Sequence, residues 1–221
     1  MSHKLGSESL SLSYIKGLWG ISITQVEKRL DEIRAWHKNG RPETFSEPNS
    51  FSEQPKFQMA LDLLKQRKIN KLLDVGCYTG YWLRNLKEMG YQNLSGCDLQ
   101  RTMMPDIGKG LGLDMRFCSA ETLEEEWDDN TFDCITLFDV LEHVLDLDLV
   151  LKQIHKVAKK GALIIIHLPS ITKNYKDESH EHVRMFTLPQ IERTFPEAVI
   201  WSCKDENNNP SYFIWYELRK I

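Results

Sequence analysis

The chain has 221 residues, 41% hydrophobic and 27% charged, with a formal net charge of −4. That is enough for one well-filled core and is the composition of a soluble globular protein. It argues against a nucleic-acid substrate, because no Lys/Arg stripe is present to neutralise phosphates, and no apolar run approaches the ~20 residues of a membrane span. Residues 1 to 20 hold Tyr14 and Trp19 without a clear period and read as irregular. From Thr24 to Lys38, Val26, Leu30, Ile33 and His37 recur at helical spacing; Ser22 or Thr24 can cap that helix, and Asn39-Gly40 stops it. RPETFSEPNSFSEQP (41–55) has the composition of a loop, serving either as a surface linker or as a lid over a site. Residues 1–55 are therefore set apart as an N-terminal helical or lid extension, and 56–221 as the main domain.

A helix over 56–68 leads into Lys71 to Gly80, KLLDVGCYTG, which reads as a buried strand, a glycine turn and a helix start near Thr79. Helix and strand then alternate: helix 80–89, strand 94–98, a short helical or irregular piece, strand 113–117, strand 132–138, helix 146–159 stopped by Gly161, and strand 162–168. A short helix over 187–195 follows, and strands 198–203 and 211–219 form an antiparallel hairpin. Alternation predicts right-handed crossovers and a doubly wound α/β fold, a seven-stranded, mostly parallel sheet with a terminal antiparallel hairpin. The five cysteines (77, 97, 118, 134 and 203) form no C-x-x-C and read as reduced thiols of a cytoplasmic protein. The start, MSHKLGSESLSLSY, is too polar for a signal peptide.

In such a sheet, ligands lie outside the carboxyl ends of the strands, next to the first. Gly76 and Gly80 bracket a turn that lets a ligand approach the backbone, Asp74 closes the strand, and Asp98 follows 22 residues after Gly76. That is the reach of an acid to ribose hydroxyls. The pattern Asp-x-Gly-x-x-x-Gly is not the G-x-G-x-x-G of a dinucleotide site. An acid beside the turn repels a pyrophosphate and suits a ligand bearing an ammonium group and a sulfonium.

The stretch resembles motif I, DVGCGTG, of class I S-adenosylmethionine-dependent methyltransferases, with Tyr78 where the common form has glycine. The resemblance covers about residues 56 to 221 and implies a Rossmann-like fold. It implies a cofactor site from Asp74, Gly76, Cys77, Tyr78 and Gly80, with Asp98 and Leu99 after the second strand. Ser119, Ala120 and Glu121 follow the third, Ser119 replacing the acid of the family's Asp-Ala-Glu. Phe138 and Asp139 end the fourth and run into VLEHV (140–144), which is very like the family's segment between the cofactor methionine and the acceptor. SHEHVRMFTLPQI (179–191) is similar to the E-H-V-R-x-F-T segment of many small-molecule methyltransferases. The implied partner is a small-molecule acceptor, with oxygen preferred over nitrogen because His143 and His182, with His180 nearby, can take its proton as catalytic bases. Each of these histidines has a purely structural alternative, and His167 reads as a core histidine. No metal is expected, since i, i+2 histidines need a third ligand that the spacing does not indicate. A cofactor-binding but inactive partner subunit, or a NAD-type oxidoreductase, are the competing readings.

Overall fold

Leu72–Val75 is buried at all four positions, the pattern of a strand covered on both faces. This strand, β1, lies at the middle of a seven-stranded sheet of order β3-β2-β1-β4-β5-β7-β6. The other strands are β2 (Leu94–Asp98), β3 (Asp114–Phe117), β4 (Phe132–Phe138), β5 (Ala158–Pro169), β6 (Val199–Lys204) and β7 (Pro210–Glu217). The computed structural model describes residues 11–40, 50–99, 108, 110–170, 180–205 and 207–219. β1 pairs in parallel with β2 and β4, as do β2 with β3 and β4 with β5; β7 runs antiparallel to both β5 and β6. The predicted doubly wound fold with its terminal hairpin is the one observed. Strand order reverses between β1 and β4, so the crevice belongs at their carboxyl ends.

Helices α3 (Pro55–Lys65) and α4 (Tyr81–Glu88) cover one face, with Phe57, Leu64, Trp82 and Leu86 packed against Leu72, Cys134 and Ile165. Helices α5 (Leu147–Val157) and α6 (Leu188–Thr194) cover the other, with Val150, Ile154 and Ile191 against Leu73, Ile135 and Ile164. Among the described residues no helix is long and apolar enough to cross a membrane. All five cysteines are free thiols.

Two expectations require correction. Residues 12–19 are not irregular but form a helix, α1 (Leu12–Trp19), capped by Ser11 and closed by Gly20 in the left-handed region. The helix ending near 159 is not stopped by Gly161: α5 ends at Val157, and β5 begins at once with Ala158. The pairing of β4 with β5 shifts register between Phe132 and Cys134, which absorbs the extra residues around Gly161 (φ +80°). Helix α2 (Ile23–Asn39) matches its prediction, Ser22 and Gln25 forming a capping box. Of the loop 41–55, residues 41–49 lie outside the described residues. Phe51–Glu53 is a 3-10 turn whose Phe51 stacks on Phe57 and Trp82.

α1 and α2 bury Ile15, Leu18, Trp19, Val26, Leu30 and Ile33 in a cluster of their own with Val183 and Met185. The N-terminal helices thus grip the segment after β5. Trp19 Nε1–H donates to the His182 carbonyl (2.9 Å), Arg29 Nε–H to the His180 carbonyl (3.2 Å), and the Met185 amide to the Tyr14 hydroxyl (3.0 Å).

Candidate active site

The glycine turn leaves β1 with the Gly76 and Cys77 amides both donating to the Cys97 carbonyl of β2 (2.8 and 2.9 Å). Gly76 has φ +73°, and a Cβ there would lie 2.5 Å from Val140 Cγ2. Only glycine fits on both counts. Tyr78, the departure from the glycine of the common motif, takes φ +47° itself, so the turn keeps its left-handed residue without the glycine. Its amide donates to Asp98 Oδ2 (2.8 Å), which fixes that carboxylate across the mouth of the turn. Gly80 (φ +72°) then caps α4.

Asp74 is 3% exposed, and Thr136 Oγ1 donates to its Oδ1 (2.6 Å). Burial pushes the Asp74 carboxyl up to about 7 against the pull of that hydrogen bond, with the Asp98 charge adding to the rise. Around the crevice, Leu99 and Ala120 are half-buried, Cys77 is buried beneath the turn, and Ser119 Oγ accepts the Glu121 amide (3.2 Å). Glu121 Oε1 accepts the Leu145 and Asp146 amides (3.2 and 3.0 Å), so it holds the loop after β4. Phe138 meets Phe57 and Trp82 edge-on.

The end of β4 brings together residues that the sequence did not connect. Asp139 (φ +57°) binds His167 Nδ1 (2.6 Å) on one oxygen and Lys56 Nζ on the other. Burial disfavours charge on both members of the Asp139–His167 pair, but their mutual attraction outweighs it. His167 rises to about 9, and Asp139 is held well below the usual carboxylate range. His167 is therefore a cationic partner of the site and not simply a core histidine. Lys56 and Thr136 are the other residues missed. Neither carries a motif, since one comes from α3 and the other from mid-strand.

Beyond Asp139, the loops after β4 and β5 are bound to each other. The Val183 amide donates to the Glu142 carbonyl (2.9 Å), and the Arg184 guanidinium donates to the Leu141, Val144 and Leu145 carbonyls. The His143 and His182 rings meet edge-on with centroids 4.7 Å apart, and His143 Nδ1 lies 3.2 Å from the Glu181 carbonyl oxygen. Beside them Glu142 is fully buried, and neither carboxylate oxygen has a hydrogen-bond partner among the described residues. Burial, followed by the Asp139 charge, pushes Glu142 up to about 8. A cleft of about 610 Å3 lies elsewhere, lined by Arg67, Lys160, Glu217 and Arg219. It sits where β5 begins and β7 ends, at the opposite end of the strands from the glycine turn, and Arg67 and Arg219 are paired with Glu217 and Glu197.

The family model described as "Methyltransferase domain" matches residues 24–198. The chain is 28% identical over 130 residues to the 24-methylenesterol C-methyltransferase 3 of Arabidopsis thaliana, covering 57% of this chain and 36% of that protein. It is 30% identical over 111 residues to a ubiquinone biosynthesis O-methyltransferase of Pseudomonas aeruginosa, covering 48% and 46%. The chain thus spans less than half the length of these curated relatives. Among solved structures, a SAM-dependent methyltransferase from Thermotoga maritima, described as a possible histamine N-methyltransferase, superimposes with a TM-score of 0.59 at 15% identity. The match covers 92% of this chain and 98% of that one.

Proposed function

We propose that this chain, which belongs to the methyltransferase domain family, transfers the methyl group of S-adenosylmethionine to a small-molecule acceptor, with oxygen preferred over nitrogen. The observation that carries this reading is the acid-flanked glycine turn, with Asp74 buried beneath it and Asp98 held across its mouth by the Tyr78 amide. Asp98 would accept the ribose hydroxyls, Asp74 would face the ammonium group, and Leu99, Ser119 and Ala120 would border the adenine. Phe138 and Asp139 would line the passage to the acceptor. When bound, the cofactor supplies an electrophilic methyl on sulfur, and alignment of an acceptor with it accounts for about 7–11 kcal/mol of barrier lowering. Relatives named as C- and O-methyltransferases support the reaction class without choosing the acceptor. The oxygen preference rests on His143 and His182, which meet in the loops after β4 and β5 and would take the acceptor proton there. Residues 1–55 are read as an N-terminal helical or lid extension, of which α1 and α2 support the 183–185 segment.

Calorimetry tests the cofactor directly. The protein is expected to bind S-adenosylmethionine and S-adenosylhomocysteine and to gain thermal stability from each by mass action. Tight NAD binding with no S-adenosyl binding would overturn the reading in favour of an oxidoreductase. Asp98→Ala is expected to weaken cofactor binding by about 1.5–3 kcal/mol per charged hydrogen bond lost. Circular dichroism should stay native, since Asp98 ends a strand and lies outside the core clusters. Unchanged affinity would place the ribose contact elsewhere. Turnover against a panel of hydroxyl and amine acceptors then separates an enzyme from an inactive cofactor-binding subunit.

A further inference from the structure

We propose that Glu142, His143 and His182 bind one divalent first-row transition-metal ion at the acceptor side of the site. One carboxylate oxygen and one nitrogen from each imidazole lie within 4.8 Å of one another. Bonds of ~2.0–2.1 Å at tetrahedral angles need ligand atoms ~3.3 Å apart, so the cluster must tighten by about 1.5 Å. His143 and His182 are half-buried, while Glu142 is enclosed.

Histidine clusters are common without a metal, and the argument turns on Glu142. Buried polar atoms almost always find a partner, yet both Glu142 oxygens lack a hydrogen bond among the described residues. Among the described residues its neighbours do not supply one. Asp139 is an acid already engaged by Lys56 and His167, and the Arg184 guanidinium donates to three backbone carbonyls. A cation shared with two imidazoles satisfies the carboxylate and balances its charge. The surroundings also resemble those of a metal-bound histidine. His143 is anchored through Nδ1 to the Glu181 carbonyl, and an imidazole that donates one N–H to a carbonyl presents its other nitrogen as a lone pair. The His182 backbone is fixed from outside by Trp19. The ligand-bearing loops are tied by the bonds from Val183 and Arg184 to the Glu142 carbonyl and its neighbours, so the two loops are held together before any ion arrives and only the side chains need to move.

Two imidazoles and one carboxylate suit zinc, manganese or iron; calcium and magnesium favour all-oxygen sites. Three protein ligands leave a position open. On the methyl-transfer reading, that position would hold the acceptor oxygen and lower the pKa of a hydroxyl, in place of an imidazole base. Only this role depends on the proposed function; the site itself does not.

The test uses the full chain, stripped with a chelator and titrated with Zn2+ alone and with Mn2+ alone, alongside a separate S-adenosylmethionine titration. One ion is expected to bind per chain with a rise in melting temperature. Glu142→Gln, which keeps the volume and removes the charge, and His182→Ala should each weaken that binding by at least about 100-fold. His155→Ala, on the exposed face near Tyr216, should bind as the parent does. Natively folded protein that takes up neither ion saturably, or equal binding by Glu142→Gln, overturns the site. Cofactor binding without metal binding rejects the metal site alone. Metal binding without cofactor binding rejects the methyl-transfer reading and leaves the metal site standing.

Discussion

Replacing Gly76 by alanine is expected to abolish measurable S-adenosylmethionine binding and to lower the melting temperature by on the order of 10 °C. Two penalties combine at this position. The backbone sits at φ +73°, where a side chain brings ~1–3 kcal/mol of strain, and the new Cβ would lie 2.5 Å from Val140 Cγ2. Overpacking of that kind costs about 1–3 kcal/mol, and a chain of this size loses about 2–4 °C per kcal/mol. Relief of the clash must push Val140 and the turn apart, and the turn is the surface on which the cofactor would lie. Gly90→Ala supplies the control: Gly90 has φ +93°, and an added Cβ would meet nothing within 4 Å, so this variant carries the strain alone. Adding Val140→Ala to Gly76→Ala should recover the steric part of the loss. Equal melting shifts for Gly76→Ala and Gly90→Ala, with parental cofactor affinity in both, would remove the turn from the binding site.

Cofactor affinity is also expected to fall about tenfold for each pH unit below 7, reaching about 100-fold weaker at pH 5. Asp74 in the unliganded fold is protonated below about 7, whereas an ammonium group beside it favours the carboxylate. Binding must then expel a proton. S-adenosylhomocysteine keeps the ammonium and should show the same slope, and Asp74→Asn should flatten it. The effect on the unliganded protein follows from the same shift. A carboxyl raised in the folded state stabilises the fold at low pH, and that contribution is lost as pH rises from 3.8 to about 7 for Asp74, and from 4.5 to about 8 for Glu142. His167 acts in the same direction: its stabilisation is full below 6.5 and lost as pH rises through about 9. Calorimetric affinity that is level between pH 5 and 8 would remove Asp74 from contact with the ligand.

The sheet was legible because its signals are local. Leu72–Val75, Phe132–Phe138 and Ala162–Leu168 are mostly apolar runs too short for helices, and the glycine turn carries its own motif. Helix α1 was missed because it is eight residues long, includes Gly17, and turns only Ile15, Leu18 and Trp19 inward. Its buried side chains pack against Val26, Leu30 and Ile33 of α2 and against Val183 and Met185, more than 160 positions away, and no short window along the chain samples that whole cluster. Gly161 was misread because a left-handed glycine ends helices and also accommodates a register shift between strands. Within the site, residues at strand ends could be placed by topology. The Lys56–Asp139–His167 network joins α3, the end of β4 and β5, and the meeting of Glu142 with His182 joins two distant loops; spacing carries no trace of either.

The grip of α1 and α2 on the segment after β5 has a consequence for synthesis of the chain. The bonds from Trp19 to His182 and from Tyr14 to Met185 join positions 163 and 171 residues apart. Emerging from the ribosome at about 5–20 residues per second, the two N-terminal helices are made first and wait roughly ten seconds or more for their partner segment. Through that interval Ile15, Leu18, Trp19, Val26, Leu30 and Ile33 lack the Val183 and Met185 side chains that complete their cluster. β1, β2 and β4 are all made before that segment, so the glycine-turn half can assemble first and, on the methyl-transfer reading, the acceptor side closes last. A nascent chain arrested before residue 180 should therefore be held by chaperones through α1 and α2, which in the finished protein support the 183–185 segment.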